Sequence, residues 1–338
     1  MMDFAELKAL PGSESEYHWL ERRLETLSAM ESVVLSAAVM RQPPETLGDA
    51  VKHLHSLQDY GVCYPAGSYH ELGKYYLVHE SNLPEETLPY VDLEQLGQHY
   101  EDNHPGLFIG SCFVTYPQHL PRQCFADSDE LLCADDGWSV KVKLASSAVP
   151  EGVWLRLPDY SAATDRPDEI DIALDALKVK KLEDCTVLEA RCRIPQLGEL
   201  MEQYEDAEEL VIDGNDLGYI LDEQGQGMPH FTKRYAAALE YENCHDLRFA
   251  LDIAQNLHCY EWFPADDLKD FGRRKLLEAG VSEDLLDSGC IDLENYASNL
   301  LGSAGYVLTG DERAYITRNN REFIFDRSTP EEAEMQMQ

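Results

Sequence analysis

Apolar side chains recur at helical spacing in two stretches of the chain that read alike. Leu47, Ala50, Val51 and Leu54 fall on one face of a predicted helix, and so do Leu247, Ala250, Leu251 and Ala254. Each helix runs into an aromatic stretch, Tyr60 to Tyr64 and Tyr260 to Phe263, and then a proline. A second helix is predicted at Tyr69–Leu77 and Leu268–Ala279, and a third at Leu93–Tyr100 and Leu293–Leu301. Each pattern closes on a glycine and a β-type run, Leu107–Thr115 and Tyr306–Leu308.

The likeness extends to residue identity at an offset of 199 to 200 positions. Leu47, Ala50, Leu57 and Tyr60 match Leu247, Ala250, Leu257 and Tyr260. Pro65, Gly73 and Lys74 match Pro264, Gly272 and Arg273; Val91-Asp92-Leu93-Glu94 faces Ile291-Asp292-Leu293-Glu294, and Gly106 faces Gly305. Such a run, broken only by one-residue gaps, implies an internal duplication.

Between the copies the period changes. Trp138–Leu144 alternates, with Val140, Val142 and Leu144 against Lys141 and Lys143; Pro150-Glu151-Gly152 is a turn; Val153–Leu157 alternates again. This pattern predicts a β-hairpin. Pro167-Asp168-Glu169 opens a helix through Leu177, with proline and acids in the first turn, where they are favoured. A strand is predicted near Thr186–Arg193, and a small meander at Tyr315–Arg318 and Glu322–Asp326. An N-terminal helix carries Leu20, Leu24 and Leu27, which suit either packing on the first copy or a dimer seam.

These elements describe an α+β protein: an elongated multi-domain chain of small mixed α/β units with two tandem related repeats. The expected divisions are a helical segment at 1–44, a first repeat at 45–116, a linker at 117–137, an α+β unit at 138–217, a second repeat at 218–328 and a frayed tail at 329–338.

Charge changes the picture most. Among 338 residues, 64 are Asp or Glu and 27 are Lys or Arg, a formal charge of −37. The apolar fraction, 44%, still suffices for packed cores, so the chain is a folded acidic protein and not an acidic disordered tail. Direct binding to nucleic acid needs a basic face, and the longest basic stretch is Arg273-Arg274-Lys275. An anionic membrane surface is disfavoured on the same ground. No apolar run approaches the roughly 18 residues of a spanning helix, and the N-terminus lacks the basic-then-apolar order of a secretory signal. Nine cysteines without C-x-x-C spacing suggest reduced thiols in a cytoplasmic protein.

Familiar chemical motifs are missing, so neither a catalytic residue, a cofactor nor a metal site is predicted. Asp213-Gly214-Asn215-Asp216 starts like a calcium loop, but Leu217 and Gln224 stand where ligands are required, so an acidic turn is the reading. Gly225 and Gly227 read as a flexible loop, and Cys259, followed by two aromatics, as core.

The acids instead gather in three windows without Lys or Arg. From Pro195 to Thr232 lie Glu199, Glu202, Glu205, Asp206, Glu208, Glu209, Asp213 and Asp216, then Asp222 and Glu223. From Tyr75 to Pro121 lie Glu80, Glu85, Glu86, Asp92, Glu94, Glu101 and Asp102. From Leu276 to Glu312 lie Glu278, Glu283, Asp284, Asp287, Asp292, Glu294, Asp311 and Glu312. Unpaired carboxylates repel one another, which costs stability, so windows that keep them point to use of the field. B-DNA carries one charge per roughly 1.7 Å of axis, so 37 net charges correspond to roughly 60 Å of duplex. The windows therefore suit mimicry of a polyanion, with solubility or a salt-rich habitat as the plainer reading.

The stretch from Phe231 to Tyr315 resembles the ArdA antirestriction proteins carried by conjugative elements and phages. The resemblance lies in Ala254-Gln255-Asn256-Leu257-His258-Cys259-Tyr260-Glu261, in the turn Asp270-Phe271-Gly272-Arg273 and in Asp292-Leu293-Glu294-Asn295-Tyr296. The chain departs from the family at Ala297-Ser298-Asn299, where Gly-Arg-Asp is usual. Residues 138–217, with the acidic Tyr204–Leu210, are similar to the family's first domain, and the first repeat is similar to its second and third domains.

The resemblance implies a non-enzymatic DNA mimic in a bacterial cytoplasm that occupies the DNA channel of a type I restriction-modification enzyme, as a homodimer or an intramolecular pseudo-dimer. The acids of the three windows would be the contact residues. Another DNA-handling target, such as a CRISPR effector or a regulator, would suit the same surface. A metal-dependent hydrolase built on clustered carboxylates is the rival from a different class.

Overall fold

A computed structural model describes residues 4–79, 90–117, 138–161 and 168–325. The fold is α+β, made of helices and small three-stranded antiparallel sheets. All but one residue of the expected linker, and the whole expected tail, lie outside the described residues. The chain divides into two compact units, 1–190 with 204–211, and 191–203 with 212–338.

The first unit opens with two capped helices, α1 (Glu14–Glu25) and α2 (Ala29–Arg41). Ser13 and Ser28 each form a capping box with the Glu three residues on, which satisfies amides that the helix cannot. The single N-terminal helix expected from the sequence is thus two helices, because Thr26-Leu27-Ser28 ends one and starts the other. Trp19, Leu20, Leu27, Val34 and Leu35 share a core with Leu47, Ala50, Val51, Leu54 and Val114. The N-terminal helices therefore pack on the first repeat, across the expected division at 44/45.

That repeat comprises α3 (Leu47–His55), β1 (Gly61–Cys63), α4 (Tyr69–His79), α5 (Leu93–Asn103), β2 (Gly106–Ile109) and β3 (Cys112–Thr115), with strand order β1-β3-β2. The expected run Leu107–Thr115 is a hairpin, because Gly110, at φ +60°, turns the chain inside an otherwise apolar stretch. The unit continues with the predicted hairpin, β4 (Val140–Ala145) and β5 (Val153–Leu157), joined by β6 (Thr186–Cys192) in the order β5-β4-β6. Helix α6 (Glu169–Leu177) is capped by Asp168, which accepts from the Ile170 and Asp171 amides. Its buried Ile172, Ala173, Leu174 and Leu177 give it one apolar face.

The second unit contains α7 (Pro195–Met201), and helix α8 (Ala207–Tyr219) crosses the division between the units. Asp213 and Asp216 lie inside α8, so the expected acidic turn is helical; Leu210, Val211, Leu217 and Ile220 supply a buried face at helical spacing. Gly225–Gly227, expected as a loop, also takes a helical turn. After α9 (Phe231–Tyr241) come α10 (Leu247–Gln255), β7 (Tyr260–Pro264), α11 (Leu268–Glu278), α12 (Glu283–Asp287), α13 (Leu293–Ser303), β8 (Val307–Leu308) and β9 (Ala314–Arg318). The strand order β7-β9-β8 repeats that of β1-β3-β2, all antiparallel. The expected strand Glu322–Asp326 is irregular over its described part. Buried Asn256 holds that part instead, accepting from the amides of Ile324 (2.7 Å) and Phe325 (3.3 Å) and donating to the Phe325 carbonyl (2.7 Å).

Two details tie the repeats together. Asp92 and Asp292 cap α5 and α13 with their carboxylates. A methyl group on Gly73 would collide with the Leu93 carbonyl, and one on Gly272 with the Leu293 carbonyl, so each glycine lets two helix backbones cross closely.

Candidate partner-binding surface

Among the acids expected to face a partner, several make contacts within the fold and many are exposed. Asp92 accepts from the amides of Glu94 and Gln95, each at 3.1 Å, and Asp292 from Asn295 at 3.0 Å. Asp206 accepts from Glu208 at 2.8 Å and Glu209 at 3.1 Å, where the positive end of α8 favours a carboxylate. Glu101 accepts a 2.6 Å bond from the Tyr69 hydroxyl. Asp213 is 8% exposed and pairs with Arg248 at 3.3 Å, which explains its burial. Asp287 pairs with Arg273 at 2.6 Å. For Asp213 and Glu101, the expectation of free display gives way to a structural contact, since each carboxylate is turned toward its own unit.

In the first unit Glu94, Asp102, Glu205, Glu208 and Glu209 are exposed; in the second, Glu199, Glu202, Glu283, Asp284 and Glu294 are exposed and Asp216 is half-buried. Glu85 and Glu86 lie outside the described residues. Four exposed carboxylates fall within residues 205–209.

Pattern reading missed a buried group of charges inside the first unit. Glu31, on α2, receives Arg23 at 2.6 Å, and Lys141 and Arg156 each stand 3.8 Å away. Lys141 is fully buried and donates to the Thr26 carbonyl at 2.6 Å. Burial pushes the Glu31 carboxyl upward, but Lys141 and Arg23 outweigh it and hold the group at about 2. In the sequence Lys141 belongs to an alternating strand and reads as solvent-facing; its partner is more than a hundred residues away, so no local pattern discloses the pair.

Among the described residues no three of His, Cys, Asp and Glu converge as a metal ion would require. The described cysteines are free thiols, and burial pushes the Cys112 thiol up to about 12 and Cys192 to about 11, away from reactivity. Among the described residues no helix is long and apolar enough to cross a membrane. No family model matches the chain, and neither a curated protein nor a solved structure matches it.

Proposed function

We propose that the protein is a non-enzymatic DNA mimic that inhibits a type I restriction-modification enzyme by occupying its DNA channel. The observation that carries this reading is the base-free stretch from Pro195 to Thr232, where Glu199, Glu202, Glu205, Asp206, Glu208 and Glu209 are all exposed. Exposed carboxylates present the charge that a channel lined with Lys and Arg is built to hold, with no base sequence to read. The resemblance to the ArdA proteins names the target class, and the matching strand order of the two repeats supports a duplicated mimic unit.

Each acid contributes little and the set contributes much, because exposed ion pairs are individually worth about 0–1 kcal/mol. Inhibition then weakens steeply as salt rises. The test is competition between this protein and duplex DNA for a purified restriction-modification complex across a salt series. Changing Glu199, Glu202, Glu205, Asp206, Glu208, Glu209, Glu283 and Asp284 together to Gln or Asn should abolish competition. Undiminished competition by that variant would end the proposal.

A further inference from the structure

We propose that Glu169 is a proton-operated latch: it is held neutral where α6 meets the start of α2, and losing its proton loosens that contact. The inference is independent of the DNA-mimic reading. Glu169 is the first residue of α6, and its Oε2 atom is buried without a hydrogen-bond partner. A buried carboxylate oxygen in that state is costly, whereas a protonated carboxyl tolerates it far better.

The groups around it explain why the proton stays. From α2, Glu31 faces the carboxyl as an anion, and Ser28, the cap of that helix, lies beside it. From β5 comes Arg156, and from the segment after β5 comes Asp159; Asp168 lies beside it as the cap of α6. Lys141 of β4 and Arg23 of α1 pair with Glu31, and Lys141 also bonds the Thr26 carbonyl. Arg156 as well stands 3.8 Å from Glu31. Glu31 thus holds three cations at 2.6 to 3.8 Å, and Glu169 feels Arg156 in common with it.

Burial first, and the charge of Glu31 next, push Glu169 up to about 8, with Arg156 opposing them. The direction of the linkage follows. The folded chain keeps this proton through neutral pH, whereas the unfolded chain releases it near the ordinary 4.5. The associated stability is complete below about 4.5 and is lost as the pH rises through 8. Above that, two buried anions face each other where α2 and α6 pack.

Two measurements on the full chain test the latch. A carbon-detected titration of the Glu169 side-chain carboxyl should show a midpoint near 8; a midpoint between 4 and 5 overturns the proposal. Between pH 6.5 and 9.5, the wild type should lose about 5 °C more in melting temperature than Glu169→Gln, which carries no proton to lose. Parallel losses overturn it as well. Should Glu169→Gln fail to fold, the titration of the unaltered chain decides alone.

Discussion

Helix α2, which flanks the first repeat, is held by a buried ion cluster around Glu31; α9, about 200 positions on and before α10, is held by Tyr235, which is fully buried and donates to the Ala250 carbonyl at 2.7 Å. The helix crossings differ too. In the first repeat both Gly73 and Gly97 meet the opposing backbone, while in the second Gly272 does so beside Ala297. Yet strand order, capping aspartates and helix succession agree. What both copies keep is what sets topology: a close-approach glycine, a capping carboxylate and one apolar helix face. How the flanking helix is fastened is free to change.

Four experiments would break or sharpen this contrast. The largest effect is expected for Glu31→Gln, which leaves the fully buried Lys141 without its carboxylate and should cost about 3–5 kcal/mol in chemical denaturation. Tyr235→Phe should cost only about 1 kcal/mol. The same contrast appears in acid. Glu31 sits at about 2 when folded and near 4.5 when unfolded, so its stabilisation is present above 4.5 and drains away as pH falls toward 2. Glu31→Gln should remove that slope.

Next comes Gly73→Ala, expected to cost about 3 kcal/mol because backbone must move; Gly272→Ala should cost less, about 1–2 kcal/mol, since its crossing is wider. Equal losses would deny that the crossings differ. Asp92→Ala and Asp292→Ala should each cost about 1 kcal/mol and the corresponding Asn variants almost nothing, because Asn caps equally well. Melting curves of the four would separate capping from display of charge. The smallest effect on stability, within about 0.5 kcal/mol, is expected for Glu199→Gln, Glu202→Gln and Glu208→Gln taken one at a time.

Local chemistry made much of the architecture readable. The β4–β5 hairpin showed in its alternation, α6 in Asp168 and its apolar period, and the duplication in Leu47/Leu247 and Gly73/Gly272. Errors arose where a signal was too short or too distant. The turn at Gly110-Ser111 hides within an apolar run, and Asp213–Asp216 resembled a loop because its carboxylates masked the helical spacing of Leu210, Val211 and Leu217. In the candidate surface, exposure followed from acidity for Glu199 or Glu205, but nothing local marks that Asp213 meets Arg248 or that Glu101 meets Tyr69.

The Asn256 carboxamide grips the chain beyond the last strand from both of its ends, and the first repeat has Ser56 at the matching position. Shortened versions of the protein should therefore stop after Phe325 and not at Arg318. A boundary drawn at the end of the sheet strips a sealed amide of three bonds at once, and the resulting fragment would be expected to precipitate for a reason unrelated to its charge.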